Sequence, residues 1–295
     1  MNFHIVTDGS CDLPQGVVRQ TGITVVPFYV SFDSKTYYKE IEEIGIRDFY
    51  DRMVANPGVY PKSSMPTAQD YANVFEPLAA AGTPVVCICI TTKFSGSMQS
   101  AELGKKMALE QYPEARITVI DAMVNTVLQG LYVREAVRLQ QAQTPYEKAV
   151  ERLLEMRASG RIFFTIGSMD YLQHGGRIGK LAGKVATVLK VRPLITLKSG
   201  EIFPAGIARS RRASMDKVIA LLQAYLKETG KPVSQYTVCV GYGYSVEEGE
   251  QFRREVMQAV GISADAELPK YQIGATIAVH TGPYPIGVAI IEKAF

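Results

Sequence analysis

The chain reads as an α/β protein: an N-terminal doubly wound domain with a mainly parallel sheet, followed by a C-terminal α+β domain with a mixed or antiparallel sheet. Three observations predict this. The first half alternates short β-branched runs with helical patterns, the order changes after about Ser159, and the last two apolar segments are separated only by a short Gly/Pro turn. Residues 3–7, 24–30, 84–90 and 116–120 are continuous apolar runs of the kind buried on both faces of a parallel sheet. Between them, Thr67-Ala68-Gln69-Asp70 forms a capping-box start, and Tyr71, Val74, Phe75 and Leu78 follow at helical spacing. Thr144-Pro145-Tyr146-Glu147 supplies a Thr cap, a Pro at the first helical position and a Glu at the third. In the second half, residues 163–166, 193–197, 237–242, 275–280 and 286–291 read as strands, with helices over 179–190, 214–227 and 245–260. The expected domains are 1–158 and 159–295, divided near Ala158-Ser159-Gly160, with a ligand site at their junction.

Composition narrows the function classes. At 295 residues, 47% hydrophobic and 21% charged, the chain has the material of two globular domains and is far from the composition of disordered proteins. A net charge of +3 is too small to mark a nucleic-acid binder in bulk. The charge is uneven, however. From Tyr171 to Met215, nine basic residues stand against Glu201 alone, so the remainder of the chain is net acidic. Such a stretch suits an anionic ligand or partner, or a solvated face of locally paired arginines. Apart from Phe203, no aromatic residue interleaves the arginines between Gly175 and Arg212, so base-stacking platforms are missing and no nucleic-acid partner is expected.

Four cysteines at irregular spacing read as buried thiols in a reducing compartment, and the opening residues lack a secretory signal, which together predict a cytoplasmic protein. The charge-free run 271–291 is long enough to span a bilayer, but its Gln272, His280, prolines and glycines fit two buried strands and a turn better. His4, His174 and His280 are not spaced with cysteines or carboxylates as metal ligands would be, and neither a GxxxxGK[ST] loop nor a GxSxG elbow is present.

Four local patterns carry candidate chemistry. Ser95 and Ser97 follow the apolar run ending at Ile90, at the carboxyl end of a parallel strand where open α/β folds bind ligands; they can cap a helix or donate hydroxyls. Ser63-Ser64-Met65-Pro66-Thr67 is a second hydroxyl cluster before a helix, with the same ambiguity. Gly175-Gly176-Arg177-Ile178-Gly179 is expected to open a helix, either as a structural turn or as a place where the backbone closely approaches an anion. His280-Thr281-Gly282-Pro283 places a histidine at an expected strand end, as a proton carrier, an anion donor or a structural residue.

Taken in order, these motifs resemble the DegV family of bacterial fatty-acid-binding proteins, which includes the FakB subunits of fatty acid kinase. The resemblance begins at Ile5-Val6-Thr7-Asp8 with Asp12-Leu13-Pro14 and runs through Ser63–Thr67, Phe94-Ser95-Gly96-Ser97 and Gly175–Gly179 to His280–Pro283. It implies a two-domain carrier that buries one long-chain fatty acid as its ligand, needs no cofactor, and presents the carboxylate to a separate ATP-dependent kinase for acyl-phosphate formation. It implies carboxylate binding by Ser63, Ser95 and His280. Gly176, Arg177, Arg209 and Thr281 fall on positions of the head-group network or of kinase docking. The basic stretch is then expected to serve the kinase, the acyl-phosphate or transient contact with an anionic membrane surface. The competing reading is a small-molecule kinase or transferase subunit with its own catalysis at His280. Ser63 stands where the family usually has Thr, Met65 where it has Gln, and Tyr284-Pro285 where another glycine commonly follows.

Overall fold

A computed structural model describes residues 2–181, 191–263 and 265–295. The first layer is a four-stranded parallel sheet. Its first strand, β1 (His4–Asp8), leads through a 3-10 turn into α1 (Gln15–Thr21) and β2 (Thr24–Val26). The run 24–30, expected as one strand, is two: β3 (Tyr29–Ser31) belongs to a different sheet. Pro27 lies at the break, where a residue without an N–H cannot continue a ladder. β3 pairs with β4 (Tyr38–Lys39) and, after α2 (Ile46–Ala55), with β5 (Lys62–Ser64), in a small antiparallel sheet that sets Ser63 opposite Val30.

The Thr67 capping box forms as expected and starts α3 (Ala68–Ala80), followed by β6 (Val85–Cys89), α4 (Ser97–Gln111) and β7 (Ile117–Asp121). The strand order is β2-β1-β6-β7. All five residues of β6 are buried because alternate side chains serve two cores. Val85, Cys87 and Cys89 pack with Tyr71 and Phe75 of α3, whereas Val86 and Ile88 point to the other side.

That other side is filled by α5 (Thr126–Gln141), which the sequence reading missed. This helix contacts β1 on one side and two strands of the second sheet on the other, so nearly every face is buried and no amphipathic stripe marks it. Its buried polar groups are individually paired; Gln140, for example, donates to the Phe3 carbonyl at 2.7 Å. The next helix, α6 (Tyr146–Met156), begins after Pro145, and Thr144 does not cap it with its side chain.

The second layer begins with β8 (Arg161–Thr165) and the short α7 (Asp170–His174). It continues with β9 (Arg192–Lys198), β10 (Glu201–Ala208), α8 (Arg211–Thr229), β11 (Tyr236–Tyr242) and α9 (Val246–Val260). The last elements are β12 (Lys270–Gln272), α10 (Ala275–Thr281) and β13 (Ile286–Glu292). The mixed sheet runs β10-β9-β8-β13-β11-β12, antiparallel except for β11 with β12. α8 and α9 contribute Val218, Leu222, Phe252 and Val256 to the core on its outer face.

Three expectations are corrected here. Residues 275–280 form helix α10 rather than a strand, so they make no antiparallel pair with 286–291; β13 pairs with β11 and β8 instead. Burial on almost every side removes the 3.6-residue polar alternation that identifies a helix, leaving a β-branched apolar run. Gly175 and Gly176 close α7 instead of opening a helix; Gly176 has a φ of 67°, which suits a chain reversal. Of the helix expected over 179–190, a single 3-10 turn spans Gly179–Leu181, and residues 182–190 lie outside the described residues.

Candidate functional site

A cavity of about 270 Å³ lies between the two layers. Its polar end gathers side chains that the elements bring from distant parts of the chain: Ser63 from β5, Ser95 from the loop after β6, Arg177 from the turn after α7, and His280 and Thr281 from the end of α10. Most of the remaining wall is apolar, with Ile90, Phe94, Phe164, Leu172, Leu197 and Ile277 in it, interrupted by Asn125, Thr126 and Thr276. Its position beyond the carboxyl end of β6 is where an open parallel sheet leaves a crevice.

Ser63 Oγ and His280 Nε2 are 3.0 Å apart. His280 Nδ1 is buried with no hydrogen-bond partner among the described residues. Burial, then the Arg177 and Lys62 charges, pull the imidazole from its ordinary 6.5 down to about 4, so the ring is neutral at pH 7. Arg177 is fixed by donating to the carbonyls of Phe94 at 3.1 Å and Gly175 at 2.8 Å. A cationic group therefore stands beside neutral donors at the polar end.

Gly96 occupies the cap position of α4, and Ser95 Oγ, one residue earlier, accepts from the N–H of Ser97, the first residue of that helix, at 3.2 Å. Ser97 is buried and donates to Asp8 at 2.7 Å. Asp8 also accepts from the Ile90 N–H, the Ser10 hydroxyl and the Gln129 amide, which ties β1, α4 and α5 to the loop that carries Ser95. Burial pushes the Asp8 carboxyl above its usual range despite these donors.

Two further acids support the walls. Asp12 accepts from the Thr126 hydroxyl, and Glu40 accepts from the backbone N–H groups of Phe28 at 3.3 Å and Thr276 at 3.0 Å. Phe28, Thr126 and Thr276 all line the cavity. Thr126 has a φ of 49°, a strained backbone for a β-branched residue, and its bond to Asp12 helps hold it there. Burial raises both carboxyls, that of Asp12 well above its usual value.

The floor of the cavity is backbone. Gly241 of β11 and Gly287 of β13 are register partners, Gly287 also faces Phe164 of β8, and all three line the space. A Cβ on Gly287 would stand 2.5 Å from Phe164 Cβ and 2.6 Å from the Phe163 carbonyl, whereas one on Gly241 would stand 3.0 Å from Val127 Cγ2. Two adjacent strands thus present no side chain where an apolar chain could lie.

Among the sequence-predicted residues, the structure brings Ser63, Ser95, Arg177, His280 and Thr281 to one cavity and leaves Gly176 and Arg209 outside its lining. Thr281 donates its hydroxyl to the Ile277 carbonyl at 3.1 Å. Arg209 is exposed just before α8. Three other cations of the basic stretch are ion-paired: Lys180 with Glu201, Arg211 with Glu248, and Arg212 with Asp216 and Glu255. Met65 is 43% exposed and lines the cavity, while Tyr284 is 41% exposed and outside the lining, with Pro285 in the wall. Asn125, Thr126 and Thr276 also line the site and were missed. Among the described residues, no group of three or more His, Cys, Asp or Glu side chains is placed to hold a metal ion, and no helix is long and apolar enough to cross a membrane.

Comparison with known proteins gives a consistent result. A stearic acid-binding protein from Eubacterium ventriosum superposes with a TM-score of 0.95 at 43% identity, covering 99% of each chain. A fatty-acid-binding DegV family protein from Thermus thermophilus superposes with a TM-score of 0.85 at 28% identity, covering 99% of this chain and 100% of that one. A DegV domain-containing protein of Caldanaerobacter subterraneus subsp. tengcongensis is 30% identical over 98% of both chains. Residues 2–293 match the family described as "Uncharacterised protein, DegV family", and the chain belongs to it.

Proposed function

We propose that this DegV family member binds one long-chain fatty acid, with its carboxyl group at Ser63, Ser95 and His280 and its tail across the Gly241–Gly287 floor. The observation that carries this reading is the cavity itself, with hydroxyls, an imidazole and a guanidinium gathered at one end and a mostly apolar wall along the rest. The similarity to the stearic acid-binding protein supports the same ligand class. A desolvated carboxylate needs several donors, and neutral hydroxyls with a neutral imidazole supply them without a fixed ion pair that would resist release. Arg177 adds a longer-range positive field at the same end.

The finer reading is that the chain is a carrier and not a complete enzyme. It presents the carboxyl group to a separate ATP-dependent kinase, consistent with a sequence that has no phosphate-binding GxxxxGK[ST] loop. Exposed Arg209 and the turn at Gly176 are then docking positions for that kinase or for transient contact with an anionic membrane surface. Four buried, unpaired thiols suit a cytoplasmic location.

The test is native mass spectrometry of the purified protein, followed by organic extraction and identification of the lipid. A stoichiometric long-chain fatty acid supports the reading. A protein that arrives empty and takes up no added fatty acid refutes it.

A further inference from the structure

His280 is constrained on both ring nitrogens, and the two constraints differ. Nε2 faces the Ser63 hydroxyl at 3.0 Å, which can give or take a proton. Nδ1 is buried without a partner among the described residues and faces Gly175, where a Cβ would overlap Nδ1 and stand 2.9 Å from Cε1. The glycine therefore presents only a Cα–H to Nδ1. Neither neighbouring carbonyl bonds to Nδ1; that of Tyr171 accepts from the Gly175 N–H at 2.9 Å, and that of Gly175 accepts from Arg177. A proton on Nδ1 would be a buried donor with no acceptor, whereas a lone pair there can rest against an aliphatic hydrogen. The asymmetry selects between tautomers.

We propose that Gly175 acts as a positioning residue that holds His280 in the neutral Nε2–H tautomer, so that the ring donates to Ser63 Oγ and leaves the Ser63 proton directed at the ligand's acidic group. In the opposite tautomer Ser63 would give its proton to Nε2 and turn only lone pairs toward an anion. The imidazolium is disfavoured by the same contact, because it too needs an acceptor at Nδ1, and Lys62 and Arg177 oppose the added charge. The orienting consequence rests on the carboxyl-binding reading above; the tautomer does not.

The experiment is a long-range proton–nitrogen correlation spectrum of the full chain labelled at its three histidines, with His280 assigned by its absence in His280→Gln. At pH 7 we expect a pyrrole-type shift at Nε2 and a pyridine-type shift at Nδ1. The reverse pattern, an averaged one or a doubly protonated ring overturns the proposal. Gly175→Ala should displace the ring, erase that pattern and weaken oleate retention by roughly tenfold or more, the scale of one lost hydrogen bond to a charged group. Because a Cβ at Gly175 also crowds the Tyr171 carbonyl, His280→Gln and His280→Leu provide a second measurement. The glutamine amide can replace the Nε2–H donor, so it should retain more oleate than leucine does, and equal losses overturn the orienting role. Wild-type protein that shows the expected tautomer but takes up no fatty acid refutes the lipid reading and leaves the tautomer standing.

Discussion

Acidification tests the environment of His280 independently of any ligand. Its folded pKa is drawn to about 4, while in the unfolded chain it returns toward 6.5. Between those values the unfolded state binds the extra proton, so the contribution is fully present above pH 6.5 and is lost as pH falls toward 4. The full shift corresponds to about 3 kcal/mol, and between pH 7.5 and pH 5 the loss from this one residue is about 2 kcal/mol. Asp8, Asp12 and Glu40 act in the opposite direction. Their folded pKa values are raised, so their contributions are present at low pH and lost as pH rises through the folded values. The two contributions oppose each other in the total slope of stability with pH, so the comparison is with His280→Gln, which keeps those acids and removes the titrating ring. The assay is urea unfolding of lipid-free protein followed by far-UV circular dichroism, since the chain has no tryptophan and bound lipid would add its own stabilisation. Wild type should lose about 2 kcal/mol more than the variant between the two pH values. Equal losses would show that His280 protonates freely in the folded protein and would refute its buried, partner-limited placement.

The remaining predictions concern the ligand and its delivery. Ser63→Ala combined with Ser95→Ala should leave the circular dichroism spectrum intact while lowering fatty-acid occupancy in native mass spectra; unchanged occupancy would remove both serines from the head-group site. Gly241→Val should fill the floor beside Val127 and Ile273 and shift the extracted lipids toward shorter chains. Each methylene that can no longer be buried weakens retention by roughly fourfold, and an unaltered chain-length profile would mean that the tail runs elsewhere. Arg209→Ala should leave lipid occupancy unchanged and slow phosphorylation by the partner kinase, because Arg209 lies outside the cavity lining; an emptied cavity would assign it to the ligand.

The fold was legible where one physical signal dominated. The parallel strands announced themselves as continuous apolar runs, and the capping box at Thr67 marked a helix start that the structure realises with both reciprocal bonds. Misreadings occurred where burial erased periodicity. α5 is enclosed between two sheets, and α10 buries all of its residues except His280, so neither shows a polar face. In α10 the abundance of Val, Ile and Thr then favours a strand on local propensity, which tertiary packing overrides. The break between β2 and β3 was signalled by Pro27, and that proline should have divided the run.

The same distinction separates the site residues that were found from those that were missed. Ser63, Ser95, Arg177 and His280 sit in short motifs rich in glycine, hydroxyls and proline, because a loop that brings a polar group to a cavity needs special backbone close to it in sequence. Their supports have no such signature. Ser97 is held by Asp8, 89 residues away, Thr126 by Asp12 at 114, and Thr276 by Glu40 at 236. Three acids in one buried region would be a severe defect if left without donors, and each is tolerated because distant segments supply them. The cavity's loop-borne polar groups are therefore encoded locally, whereas Thr126 and Thr276, which reach the cavity from α5 and α10, are fixed by partners that only folding brings near. Gly175 belongs to both classes: it is visible as half of a Gly-Gly turn, but its packing against the His280 ring, 105 residues further along, is a tertiary fact.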